Sequence, residues 1–188
     1  MEETTAAWLA ALIDGEGSVM LNRRTYSESW KKKRPTLGKT LTAKNRFRPV
    51  VVVASGTDVR LFDAIREKIG VGQVYTHRIS NTAKSHNPRA RIQYTYRLNV
   101  KQITEILPDV LPWLVLKKPQ AELLLEAIEW NRKRNSTGGY SGFNDPEFRE
   151  ESYNRLNEIY SSIRALNTKG RITEEEFQKE LKNHVPTH

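Results

Sequence analysis

Two groups of side chains in this 188-residue chain have the type and spacing to do chemistry. The first alternates. Lys44, Arg46 and Arg48 recur at every second position, and Arg89, Arg91, Gln93 and Arg97 keep the same phase. A period of two places each series on one face of a strand. Leu41, Ala43 and Phe47, and then Ala90, Ile92, Tyr94, Tyr96 and Leu98, fall on the opposite faces. A ribbon with one face packed and the other free fits the major groove of DNA, where Arg and Lys suit phosphates and guanine edges and Gln suits adenine. The second group is Asp14-Gly15-Glu16-Gly17, at the end of an apolar helical segment. An acid at a helix C-terminus opposes the macrodipole. Beside a polyanion it is also repelled, unless a divalent cation lies between them. The competing reading is a solvated acid beside an ordinary glycine helix stop.

The charge distribution favours a polyanion. The net charge is +9, from 31 Lys and Arg against 22 Asp and Glu. Residues 22–48 hold ten basic side chains and one acid, Glu28, and residues 77–101 hold six basic side chains and no acid. The remainder is net acidic, so the excess is sorted into two blocks rather than spread for solubility. Arg23 and Arg24 open the first block, Lys31, Lys32, Lys33 and Arg34 fill its middle, and Arg78 stands in the second. The chain has no cysteine, which excludes disulfides, thiolate metal sites and cysteine nucleophiles. The acidic start, Met1-Glu2-Glu3, reads against a signal or transit peptide. Apolar runs fall short of the ~20 residues of a membrane span. An intracellular protein of cytoplasm, nucleoid or organelle matrix, neither secreted nor bound to a membrane, is expected.

These groups need elements to position them. Residues 4–14 read as a helix, with Trp8, Leu9, Leu12 and Ile13 at helical spacing and Gly15 as its stop. Residues 18–24 read as a strand. A second strand runs from Thr40 into Val50–Val53, with a bend or bulge at Pro49. A helix over 58–69 ends at Gly70. Strands at 74–79 and 89–100 follow, then helices at 101–111, 119–134 and 145–166, and a last one from Thr173, whose spacing to Glu176 makes a capping box. One domain over 1–188 is expected, with its core at about 5–166 and a tail at 167–188.

Leu9-Ala10-Ala11-Leu12-Ile13-Asp14-Gly15-Glu16-Gly17 resembles the LAGLIDADG motif of homing endonucleases across all nine positions, with Ala, Gly and Glu as permitted substitutions. Ile69-Gly70-Val71-Gly72 and Leu116-Lys117-Lys118-Pro119-Gln120-Ala121 are similar to further stretches of the single-motif branch. The resemblance implies an α+β fold of order αββαββα, with a curved antiparallel DNA-binding sheet and extra C-terminal helices. It implies Glu16 as catalytic acid and metal ligand, the Gly15 carbonyl as a second ligand, and Lys117 as the basic catalytic residue. It also implies Mg²⁺, or another divalent cation such as Mn²⁺ or Ca²⁺. Since the chain holds one motif, a homodimer is implied, packed through Trp8, Leu9, Ala10, Ala11 and Leu12. The partner is double-stranded DNA with a palindromic or near-palindromic site, cut as a step of intron homing. Lys169 and Arg171 join the DNA-contacting set.

The resemblance departs at one place. Counting back from Ile69-Gly70, the water-positioning polar residue of single-motif relatives falls on Ala54, and a neighbouring basic residue falls on Asp58. Ser55, Thr57 and Arg60 are the nearby substitutes. An intron-RNA maturase or a non-cleaving DNA-binding regulator of the same fold is therefore the second reading.

Overall fold

The computed structural model describes residues 1–24, 46–77, 91–137 and 146–168. Its elements are α1 (Glu3–Glu16), β1 (Ser18–Arg24), β2 (Arg46–Gly56), α2 (Val59–Ile69), β3 (Gln73–His77), β4 (Gln93–Leu98), α3 (Val100–Val110), a 3-10 turn (Leu111–Trp113), α4 (Lys118–Thr137) and α5 (Pro146–Thr168). The αββαββα order is the one anticipated, continued by two long helices. The strand residues before Arg46, the tips at 25–39 and 80–88, and the helix expected from Thr173 lie outside the described residues.

The helices begin and end where local chemistry satisfies their free backbone groups. Asp58 caps α2, its carboxylate accepting from the Arg60 N–H at 3.0 Å, and Gly70 closes the helix in the left-handed region at φ 68°. Asn99 and Gln102 form a capping box at α3. Asn99 is therefore committed to a helix start, and the polar face of β4 ends before it.

The four strands form one antiparallel sheet in the order β1-β2-β4-β3. Register decides which residues share a face. Val19, Leu21, Phe47, Val51 and Val53 are buried on the helix-covered side, joined there from β4 by Tyr96 and Leu98. The register shifts between Val52 and Ala54, so Val53 and Ala54 both turn inward and Ser55 comes out beside Thr95. The irregularity expected at Pro49 thus occurs further along. Pro49 sits in register opposite Leu21, and the β4 ladder begins only at Val51 opposite Leu98, so the missing N–H falls where β2 has no strand on its β4 side.

Ala6, Leu9, Ala10 and Ile13 of α1 are fully buried at i, i+3, i+4, i+7 spacing against the sheet and α3. Phe62 and Ile65 of α2 cover the β4 end. Leu124, Ala127 and Ile128 of α4 and Leu156, Ile159 and Ile163 of α5 complete the core. Asn131 and Asn167 donate side-chain amides to the carbonyls of Phe47 (3.3 Å) and Val19 (3.0 Å), fastening α4 and α5 to β2 and β1.

Candidate active site and nucleic-acid interface

The acidic end of α1 is held by a chain segment 100 residues away in sequence. The Asp14 carboxylate accepts backbone N–H bonds from Val115 (2.7 Å), Leu116 (3.2 Å) and Lys117 (2.8 Å). It acts as an N-terminal cap for the turn that opens α4. In return, the Lys117 ammonium donates to the Asp14 main-chain carbonyl at 2.5 Å. This reciprocal clasp brings Lys117 beside Gly15 and Glu16. Burial pulls the Lys117 amine below its ordinary value, while the charges of Asp14 and Glu16 oppose that pull. Lys118 is the first residue of α4 and is exposed, so Lys117 is the lysine at the acidic centre. The motif pattern gives Asp14 no role; its role depends on a turn that no local pattern in residues 9–17 reveals.

Glu16 and Gly15 are exposed, and nothing approaches within 4 Å of where a Gly15 side chain would begin. Gly17 is different. A Cβ there would overlap the Val52 carbonyl oxygen and lie 2.8 Å from the Ile13 Cα. Only glycine lets the end of α1 pass this close to β2 and start β1 opposite Val52. A carboxylate and a main-chain carbonyl are hard oxygen donors of the kind Mg²⁺ and Ca²⁺ take. Among the described residues no three His, Asp or Glu side chains gather into a metal-holding group.

The residues expected at a dimer contact divide by burial. Leu9 and Ala10 lie wholly inside the chain at 0% exposure, which corrects their assignment to an intermolecular face. Ala11 is exposed, and Trp8 and Leu12 are half-buried. The turn packed on α1 adds Val115 and Leu116, at 79% and 70% exposure, and Trp113. An apolar surface therefore flanks the acidic centre.

The other face of the sheet carries exposed polar side chains around an apolar patch of Met20, Val50 and Val52, with Val50 and Val52 buried. Asn22 and Arg48 stand opposite each other across β1 and β2, and Gln93 stands opposite His77 across β4 and β3. Arg97 is half-buried between Val52 and Gln73, and Arg91 is exposed just before β4. Thr95 is buried on this face; its hydroxyl meets His77 Nε2 at 3.1 Å and Ser55 Oγ at 3.4 Å. Of the expected ribbon cations, Arg48 and Arg97 therefore share this surface with Gln93, and Arg91 precedes the strand. Arg24 pairs in register with Arg46 at the strand ends.

Arg23 is placed elsewhere. Its guanidinium donates to Asn157 Oδ1 at 2.7 Å and stacks 4.7 Å from the centre of the Tyr160 ring. It belongs to the helix-packed side, opposite Phe47, because its odd position carries the core phase of β1. Lys31, Lys32, Lys33, Arg34, Lys44, Arg78, Arg89, Lys169 and Arg171 lie outside the described residues.

At the place of the departure, Ala54 is fully buried on the core side of the bulge. Asp58 is tied to Arg60, whose side chain holds its carboxyl near 2, far below the usual range. Ser55 is the polar residue that the bulge turns outward.

This fold is that of the LAGLIDADG homing endonucleases. The homing endonuclease I-CvuI, solved with a DNA target in the presence of Mg and not cleaved, superposes with a TM-score of 0.56 at 17% identity, covering 91% of this chain and 98% of that one. I-SmaMI bound to cleaved DNA gives a TM-score of 0.57 at 17% identity, over 98% of this chain and 49% of that one. An archaeal intron-encoded homing endonuclease complexed with DNA gives a TM-score of 0.50 at 15% identity, over 89% and 99% of the two chains. This chain thus spans the whole of some neighbours and about half of I-SmaMI. No protein-family model and no curated protein matches the sequence.

Proposed function

We propose that the protein is a metal-dependent, site-specific double-strand DNA endonuclease that acts as a homodimer on a palindromic or near-palindromic site. The observation that carries this reading is the clasp that sets Lys117 against the Gly15-Glu16 end of α1, in a chain whose open sheet face bears Arg48, Gln93 and Arg97. The neighbouring structures are homing endonucleases with DNA, one of them in the presence of Mg and another of Ca. The dimer is supported by the apolar surface of Trp8, Ala11, Leu12, Val115 and Leu116 around the acid, and by I-SmaMI being about twice the length that this chain matches. Two copies meeting there bring two Glu16 carboxylates together.

In this mechanism Glu16 and the Gly15 carbonyl would hold a divalent cation, which would supply Lewis-acid polarisation and water activation. Lys117, oriented by its bond to the Asp14 carbonyl, offers positive charge to the phosphate as negative charge develops. The open face supplies the contacts to base edges and phosphates.

A non-cleaving reading, as a DNA-binding regulator or an intron-RNA maturase, is favoured by one observation. Ala54 offers no polar group, and Asp58 is committed to capping α2. The test is selection from a randomised palindromic duplex library with Mg²⁺, comparing the wild type with Glu16→Gln. Cleavage by the wild type and loss of it in the variant support the nuclease. Specific binding without cleavage supports the second reading.

A further inference from the structure

On the open face, the residues at the β4–α3 junction enclose a depression of about 290 Å³, lined among others by Asn22, Arg48, Gln73, Tyr75 and Arg97. Two arginines face it without an acid. Among the described residues, neither the Arg48 nor the Arg97 side chain has a hydrogen-bond or ion-pair partner, and the Arg97 Nε is a buried donor left unbonded. Unmet donors on a half-buried cation are costly and call for an acceptor from outside the chain.

Arg97 is also held in place. Its guanidinium carbon lies 5.1 Å from the centre of the Tyr75 ring. The Tyr75 hydroxyl donates to Gln73 Oε1 at 2.9 Å, and Gln73 is the cross-strand partner of Arg97. The ring is thereby fixed beneath the cation from the neighbouring strand. Tyr75 and Gln73 carry no signal of this in the sequence, because β3 is short and exposed.

Resting on the DNA-binding reading above, we propose that Arg97 is a specificity-determining residue that takes a guanine edge, and that Tyr75 is its positioning residue. Three observations favour a base over a phosphate. β4 is an inner strand, flanked by β2 and β3, so Arg97 addresses the interior of a groove rather than its walls. The stack restricts the direction of the guanidinium, which matters for a bidentate contact to O6 and N7 and little for a phosphate. The amide side chains of Asn22 and Gln73 line the same depression beside the two arginines, and amides offer the paired donors and acceptors that base edges present.

The experiment begins with duplex selection by the wild-type protein in Ca²⁺, followed by binding measurements for Arg97→Gln and Tyr75→Leu, both checked for folding by thermal melting. The wild type is expected to demand guanine at one position of each half-site, by about tenfold to a hundredfold over other bases. Arg97→Gln, which removes the charge and the fork of donors, is expected to lose that preference at that position alone. Tyr75→Leu is expected to weaken it, while Tyr75→Phe, which keeps the ring, retains most of it. Replacing that guanine by 7-deazaguanine weakens the wild type and leaves Arg97→Gln unchanged. A uniform loss of affinity on every sequence in Arg97→Gln, with a shallower salt dependence, makes Arg97 a phosphate contact and overturns the proposal. Full retention of the preference in Arg97→Gln overturns it while leaving the DNA reading intact. A wild type that selects no duplex overturns both.

Discussion

Replacing Asp14 by alanine isolates the clasp that assembles the acidic centre. The substitution removes a carboxylate accepting three backbone N–H groups, at 2.7, 3.2 and 2.8 Å. Each bond to a charged acceptor contributes roughly 1.5–3 kcal/mol where water cannot replace it. Here Val115 and Leu116 are largely exposed, so water rehydrates most of the freed donors. The cost then falls to that of losing a helix cap, about 1–2 kcal/mol. For a chain of this length the melting temperature drops by roughly 2–8 °C. The local effect is larger. Amide exchange at Val115, Leu116 and Lys117 accelerates far more than exchange in the buried part of α4, because only this turn loses its fastening. On the proposed nuclease reading, DNA cleavage falls by about tenfold or more at saturating duplex, since Lys117 is no longer fixed, while affinity changes little. Asp14→Asn, which keeps one acceptor oxygen but turns an N–H donor toward the turn, falls between wild type and alanine. Unchanged exchange at residues 115–117 in Asp14→Ala would refute the reasoning outright. Faster exchange with undiminished cleavage would refute the part given to Lys117.

Three other outcomes follow from the packing. Gly17→Ala forces a Cβ onto the Val52 carbonyl and against Ile13, and should cost roughly 3 kcal/mol, at the upper end of overpacking, read by urea denaturation. Ala11→Arg should leave a folded monomer by light scattering, because Ala11 is exposed, whereas Ala10→Arg, one residue away but at 0% exposure, should not fold. The third concerns Glu126, held bidentately by Arg155 at 2.7 and 3.0 Å across α4 and α5. The hydrogen bonds from Arg155, aided by Trp130, hold its carboxyl below the ordinary value against the pull of burial. Its contribution is therefore complete above the unfolded carboxylate pKa and is lost as pH falls through the folded one. The pair is more than a third exposed, so screening limits it to about 0.5–1 kcal/mol. Glu126→Gln should remove that amount at neutral pH and flatten the acid limb of the stability profile.

Much of the fold was legible because it is written in short periods. The αββαββα order follows from apolar spacing and glycine stops, and α1, α2 and α5 begin and end within a few residues of where those signals place them. The alternation around Gln93 correctly separates Tyr94, Tyr96 and Leu98 from Gln93, Thr95 and Arg97. The bulge was misplaced to Pro49. A proline advertises itself, whereas a shift between Val52 and Ala54 inside a run of small apolar residues leaves no local mark. Arg23 follows the same lesson: basic composition suggested a DNA contact, and strand parity sent it to Asn157 and Tyr160.

By itself the sequence determined the elements, the two basic blocks and the acid that closes the motif helix, because helix and strand periods and chain charge are local quantities. Tertiary structure decided the rest. It made Asp14 the anchor of a turn a hundred residues on, chose Lys117 over Lys118, buried Leu9 and Ala10 while leaving Ala11 and Leu12 at the surface, and set Tyr75 beneath Arg97. Each of these depends on which elements lie beside one another. That is a property of packing and strand register, to which residues far apart in the chain contribute together.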